Sequence, residues 1–338
     1  MKKSLKKITR ISIISLLSIT LLYALGPSPR TPILKSDLPK VDTDLRILEK
    51  EINQRERSFK NLKPDNQARI VWQNPNKKEK TPYSIVYLHG FTASQAEGDP
   101  THLSIAKKYG CNLYLARLWG HGSSDPDALI NLTADSLLQS AKEAVAIGQQ
   151  LGEKVILMGT STGAALALYI AANNPQIAGV VLYSPLIDFY DSSTFLLDKP
   201  WGLYIARTMM GSVYLGRQAK NKEHEQYWMN QYRIEAAIAL KSFIGNAMNE
   251  ATFKKVKQPL FLGYYYKNEE EQDKVISITA AQKMFEQIST NPAQKKQVAF
   301  AKVGDHVIAS SIVSKDVESV LRETQNFLEE VLFLKPVF

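Results

Sequence analysis

The residues Gly159-Thr160-Ser161-Thr162-Gly163 follow the apolar run Val155–Met158 and lead into Ala164-Ala165-Leu166-Ala167-Leu168. This is a G-x-S-x-G pattern set between a strand signal and a helix signal. The reason for glycine at both places is steric: a strand that turns at once into a helix leaves no room for side chains beside the central residue, whose own backbone is strained. Such a turn lifts the serine Oγ clear of the sheet and sets it at a helix amino end, where the dipole favours developing negative charge. The chemistry prepared in this way is nucleophilic attack by Ser161 on an acyl carbon. A bland Gly/Ser-rich turn would not need the strand-to-helix setting.

A serine hydroxyl needs a base to take its proton and a carboxylate to orient that base. Of the five histidines, His89, His102, His121, His224 and His306, the last stands just after the final strand-like run and before the last helical one, and it is the candidate base. The acid belongs between serine and histidine in the chain, in the loop after the run Pro259–Tyr264, where Glu269, Glu270, Glu271 and Asp273 all lie. Asp273 is chosen because Asp273-Lys274-Val275-Ile276 leads into the next helix, whereas the three glutamates read as a solvated charge run. Backbone N–H groups must stabilise the tetrahedral oxyanion. One is that of Thr162, at the helix start. The second comes from the loop His89-Gly90-Phe91-Thr92-Ala93-Ser94, where Gly90 lets the backbone approach closely and Phe91 offers its N–H. His89 and His121 read as structural braces. No H-x-x-x-H or H-E-x-x-H spacing occurs, so no metal site is expected. The lone cysteine, Cys111, excludes an intramolecular disulfide framework and a thiolate zinc cluster, and it reads as a small buried apolar residue.

These residues need a scaffold. Strand-like runs occur at Arg69–Trp72, Ser84–Leu88, Asn112–Ala116, Val155–Met158, Gly179–Tyr183, Pro259–Tyr264 and Lys295–Phe300, with helical patterns such as Leu132–Leu151 and Ala164–Asn173 between them. Several runs are continuously apolar, as strands covered on both faces must be. The alternation predicts an α/β fold with a mostly parallel central sheet flanked by helices, whose ligand site lies at the carboxyl ends of the strands. One stretch, residues 189–250, interrupts the alternation with Phe195, Trp201, Tyr204, Met209, Met210, Tyr214, Tyr227, Trp228, Met229 and Tyr232. Such an insertion is either packing or, placed over the strand ends, a helical lid lining an acyl pocket. Trp119, Phe195 and Trp201 are the expected substrate-binding side chains.

The formal charge of +9 is unevenly spread: residues 1–40 hold eight of the 42 Lys/Arg and one of the 33 Asp/Glu, a net +7 that leaves only +2 on residues 41–338. Lys2, Lys3, Lys6, Lys7 and Arg10 precede the uncharged run Ile11–Pro29, the layout of a secretory signal or membrane anchor, cleaved or retained. The basic balance is therefore a targeting signature, and nucleic-acid binding loses its support. The expected location is exported, either membrane-anchored through this segment or periplasmic. The organisation reads as 1–26 signal or anchor, 27–60 Pro-rich linker and a helix over 42–59, 61–188 and 251–338 catalytic core, and 189–250 lid insertion.

In the order Ser161, Asp273, His306 the chain resembles the α/β-hydrolase fold. Tyr87-Leu88-His89-Gly90-Phe91, Leu118-Trp119-Gly120-His121-Gly122 and the Gly159–Gly163 turn resemble the monoacylglycerol lipase, lysophospholipase and serine aminopeptidase group, over about residues 69–338. The resemblance implies hydrolysis through an acyl-serine intermediate with no cofactor. Two features depart from the group's pattern: Trp119, where a small or polar residue is common, and the extra segment Asn268–Gln272 in the acid loop. The leading expectation is a serine esterase acting on an acylglycerol, lysophospholipid or other small-molecule or lipid acyl ester. The alternatives are a serine aminopeptidase or amidase, for which Glu223 and Glu225 are the only suggestive ammonium-binding pair, and a non-catalytic envelope binding protein on the same fold.

Overall fold

The computed structural model describes residues 2–216 and 218–337, with the side chains of residues 2–8, 10, 11 and 19 left aside. Its strands are β1 (Arg69–Val71), β2 (Thr81–Leu88), β3 (Asn112–Leu115), β4 (Gly152–Thr160), β5 (Ile177–Tyr183), β6 (Tyr214–Gly216), β7 (Gln231–Arg233), β8 (Leu260–Tyr265) and β9 (Lys295–Phe300). Its helices are α1 (Lys2–Ala24), α2 (Leu45–Ser58), α3 (Thr101–Lys108), α4 (Ala134–Leu151), α5 (Thr162–Asn173), α6 (Gly202–Met210), α7 (Lys222–Tyr227), α8 (Ile234–Ala247), α9 (Glu250–Phe253), α10 (Ile278–Gln287) and α11 (Val317–Glu330). Seven strands form one sheet in the order β1-β3-β2-β4-β5-β8-β9, and each run read as a strand from the sequence is a strand of it. Every neighbouring pair is parallel except β1 with β3, where the short edge strand runs antiparallel.

The continuous apolar runs divide by alternation between two buried layers. Leu157 of β4, Leu88 of β2 and Leu182 of β5 face the side covered by α4, α5 and α8, while Met158, Tyr87 and Tyr183 face the side covered by α3 and α11. Period-two alternation on a sheet covered on both faces gives this pattern. The stretch 189–250 holds the antiparallel pair β6–β7 and the helices α6 and α7, but its last helix belongs to the main core, where Ala236, Leu240, Phe243 and Ile244 are buried. Residues 189–233, which precede α8, carry α6, α7, β6 and β7.

The amino-terminal segments dock on this body. Asp44 caps α2 by accepting the N–H groups of Arg46 and Ile47, and Leu48 and Ile52 are buried. Glu56, on the same helix, accepts from Arg117 Nε at 2.6 Å and from the Ala68 N–H at 3.0 Å; the Arg117 guanidinium lies 3.8 Å from the Phe59 ring centre. The linker is pinned to α4, since Asp135 Oδ1 accepts the N–H groups of Ile33 and Leu34 at 3.0 and 2.9 Å. Among the described residues no helix is long and apolar enough to cross a membrane.

Both members of the Glu56–Arg117 pair are below a tenth exposed, so removing one leaves a charge buried without its counterion. Glu56→Ala is expected to cost about 3–5 kcal/mol in urea unfolding. A Glu56→Leu, Arg117→Met double replacement should return most of that loss, because the desolvation cost of the pair disappears with it.

Candidate active site

The turn from β4 into α5 carries Ser161 with φ 54° and ψ −115°, a backbone conformation that L residues seldom adopt. Its two glycines are explained by what surrounds them. A Cβ on Gly159 would come within 2.6 Å of the Gly163 backbone, and a Cβ on Gly163 would collide with the carbonyl of Leu88 at the end of β2. The strained residue is held by its neighbours: its N–H donates to Tyr183 O at 2.9 Å, and its carbonyl accepts from Ala165 and Leu186.

Ser161 and His306 line one cavity of about 390 Å³ at the carboxyl ends of the strands, together with Phe91 and Thr162. His306 Nδ1 lies 2.6 Å from Asp273 Oδ2, which leaves Nε2 for the cavity. Asp273 is 1% exposed and accepts the N–H groups of Val275 and Ile276 on its other oxygen, at 2.8 and 3.2 Å. Burial pushes its carboxyl up, but the His306 ring and these donors outweigh that and leave its pKa below the usual carboxylate value. Burial likewise works against a charged His306, yet Asp273 first, and Asp305 after it, raise the ring above 6.5. Of the four acids in the loop after β8, Asp273 is the one that faces the histidine. Glu269, Glu270 and Glu271 are exposed. The extra segment closes on itself, with Lys267 N–H donating to Glu271 O at 3.0 Å, and returns the chain so that Asp273 N–H meets Tyr265 O at 3.1 Å.

Among the described residues neither the Phe91 N–H nor the Thr162 N–H has an acceptor, and both residues line the cavity. Thr162 is the first residue of α5, where the amide has no intrahelical partner. The Phe91 loop is braced from behind. Leu118 N–H donates to His89 Nε2 at 3.0 Å, so His89 carries its proton on Nδ1 and gives it to Gly90 O at 2.8 Å. His121 packs edge-on against Phe91 at 5.5 Å. Both rings are held uncharged by burial, His121 down to about 4 and His89 well below its ordinary value. Cys111, buried just before β3, has its thiol pushed up to about 12 by burial. Among the described residues no His, Cys, Asp and Glu group could hold a metal ion.

The aromatic walls differ from the expectation. Trp119, Phe195 and Trp201 do not line the cavity; Phe189, Trp228 and Tyr232 do, with Leu186, Met229 and Leu240. Trp119 packs partly buried against the main core, its N–H donating to Ser140 Oγ. Phe195 points to solvent, 55% exposed. Trp201 is taken up by the amino-terminal segment: its N–H donates to Pro27 O, its Nε1 to Leu22 O, and its ring covers Gly26. Composition marked the right stretch, since Trp228 and Tyr232 belong to it, but gives no sign of which side chains turn inward. Glu223 and Glu225 are exposed on α7 and lie outside the cavity. A residue that sequence reasoning passed over does line it: Glu97, 2% exposed, whose carboxylate oxygen Oε2 accepts the Gly90 N–H.

Residues 85–307 match the alpha/beta hydrolase family. A thermostable monoacylglycerol lipase of Bacillus sp. (strain H-257) is 30% identical over 110 residues, 32% of this chain and 43% of that protein. The chain therefore aligns with less than half the length of this curated relative. Among solved structures, one from a study of the metagenome-derived lipolytic enzymes LipS and LipT superposes with a TM-score of 0.63 at 18% identity, covering 79% of this chain and 99% of the other. The monoacylglycerol lipase of Paleococcus ferrophilus gives 0.55 at 16% identity, over 75% of this chain and 96% of the other. At such identities the superpositions speak for the fold, and the family match over two strand-end loops, the serine turn and the histidine loop speaks for descent: the chain belongs to the alpha/beta hydrolase family.

Proposed function

We propose that the chain hydrolyses carboxylic esters of a single acyl chain, acylglycerols or lysophospholipids among them, through an acyl-serine intermediate. The observation that carries this reading is Ser161, strained at φ 54° at the head of α5, sharing a cavity with a histidine whose Nδ1 is fixed 2.6 Å from a buried carboxylate. Ser161 Oγ attacks the ester carbonyl while His306 Nε2 takes its proton, and Asp273 stabilises the imidazolium that results. The carbonyl oxygen becomes an anion received by the Phe91 and Thr162 N–H groups. His306 then returns the proton to the departing alcohol oxygen as the C–O bond breaks. A water molecule, deprotonated by the same ring, attacks the acyl-serine, and His306 gives that proton to Ser161 Oγ as the acyl bond breaks and the acid leaves.

The apolar side chains of Phe189, Tyr232 and Leu240 suit an acyl chain, and a cavity of about 390 Å³ is at the lower end of the usual range for ligand sites. The relative in Bacillus, a monoacylglycerol lipase, supports the same substrate class. Cleavage of amino-terminal residues is not favoured, because the ammonium-binding pair it needs lies on the outer face of α7. For the amino-terminal segment we infer export, as a cleaved or a retained signal; the support is the basic cluster of residues 2–10 and the exposure of Leu16, Leu17, Leu21 and Leu22 on α1.

With p-nitrophenyl butyrate, Ser161→Ala is expected to lower kcat by at least about four orders of magnitude; activity that survives it would refute the mechanism. Because the base must be neutral and its pKa is raised above 6.5, kcat/KM should rise with pH through a midpoint above 6.5. Asp273→Asn should lower the rate by about three to four orders of magnitude and move that midpoint down. Phe189→Ala should reduce kcat/KM for decanoate more than for acetate, and an equal loss on both esters would place the acyl chain elsewhere.

A further inference from the structure

Glu97 lies in the short turn Gln95–Gly98 that follows the Phe91 loop. It is buried, lines the cavity with Ser161 and His306, and among the described residues has no Lys or Arg in ion-pair contact. Its carboxyl group lies flat against Gly90: Oε2 accepts the Gly90 N–H, and a Cβ on Gly90 would stand 2.7 Å from Oε1. The turn that carries it is tied to the histidine loop from the other side, since Ser310 Oγ donates to Ala96 O at 2.8 Å and Ser311 N–H to Asp99 O at 2.9 Å. A side chain buried at the cost of desolvation, reaching from this turn back to the backbone of the Phe91 loop, does more than fill space.

We propose that Glu97 is a positioning residue of the ester-cleaving site, which accepts the Gly90 N–H and so fixes the loop whose next amide, Phe91 N–H, receives the oxyanion. This rests on the ester-hydrolase reading above. Its surroundings favour the uncharged form of the carboxyl. Burial raises the carboxyl to about 8, against the lowering effects of the Gly90 N–H, His306 and Tyr87, and Asp305 adds to the rise. The ionisable groups around it are Tyr87 on β2, His102 on α3 behind Tyr87, His224 on α7 and the pair His306 and Asp305. β4 adds only the Thr160 hydroxyl, bonded to Tyr87. Asp305 is itself paired with Lys220. Once ionised, Glu97 places a negative charge under the loop that must receive a negative oxygen, and in a buried site that charge is poorly screened. The rate should then fall as the pH rises through about 8. A neutral acid retained in an apolar site for hydrogen bonding at the reaction centre is a known device.

The test compares pH–rate profiles of kcat with p-nitrophenyl butyrate for the wild type, Glu97→Gln and Glu97→Ala. The wild type should show a bell with an alkaline limb near pH 8. Glu97→Gln, whose amide oxygen still accepts the Gly90 N–H and never ionises, should lose that limb. Glu97→Ala should lose about 10- to 100-fold in kcat at pH 7, of which Glu97→Gln recovers most, because a loop out of place forfeits part of an oxyanion donor. An alkaline limb that persists unchanged in Glu97→Gln, or a Glu97→Ala rate equal to that of the wild type, overturns the proposal. Labelling of Ser161 by a fluorophosphonate in all three proteins separates the two readings: a wild type that neither labels nor turns over ester refutes the hydrolase reading itself, whereas an active wild type with an unaltered Glu97→Gln profile refutes only the role of Glu97.

Discussion

The structure depends on one close approach: the first turn of α5 presses against the end of β2, with no space between Gly163 and the Leu88 and His89 carbonyls. Any side chain there would push the helix away from the sheet. Because nothing does, β4 must reverse into α5 within a single residue, and Ser161 takes up the strained conformation that this reversal demands. The same approach sets the amino end of α5 beside the loop that leaves β2. The Thr162 and Phe91 N–H groups thus converge on one cavity although they come from turns about seventy residues apart in the chain. Packing of glycine on backbone is what shapes this site, and the ionisable residues are arranged around it.

Burial then decides the protonation of those residues. Asp273, deep behind His306, keeps its charge because an imidazole and two backbone amides face it. His306 gains basicity from the same contact. Among the described residues His89, His102 and His121 have no such carboxylate partner, and burial keeps them neutral as hydrogen-bonding braces for the loops. One low-dielectric region therefore holds a charged acid, a tuned base and neutral rings, sorted by what each side chain touches.

Much of this was legible in the sequence. The inner sheet strands β2, β3, β4, β5 and β8 announce themselves as apolar runs because both faces are covered, and the serine turn does so because glycine is obligatory where a Cβ would meet backbone. Asp273 stands apart from its three neighbouring glutamates in the sequence because it leads toward α10, and it is the acid that lies against His306. Other features were not legible. The antiparallel direction of β1 and the buried Glu56–Arg117 pair that ties α2 to the body join residues far apart in the chain, which no local pattern encodes. In residues 189–233 composition shows that aromatics are abundant but not which of them turn inward, so Phe189 and Tyr232 took the place expected for Phe195 and Trp201. Glu97 escaped notice because a single glutamate in a Gly/Ser-rich loop reads as solvated; its burial arises from the histidine loop closing over it, more than 200 residues further on.

The central claim, that an acyl group passes through Ser161, is tested most directly by trapping it. Rapid acid quenching during turnover of p-nitrophenyl butyrate, followed by peptide mapping by mass spectrometry, should find one butyryl group on the peptide that contains Ser161. Turnover with no covalent intermediate under conditions where deacylation is slowed, or a butyryl group carried on a different residue, would contradict the account.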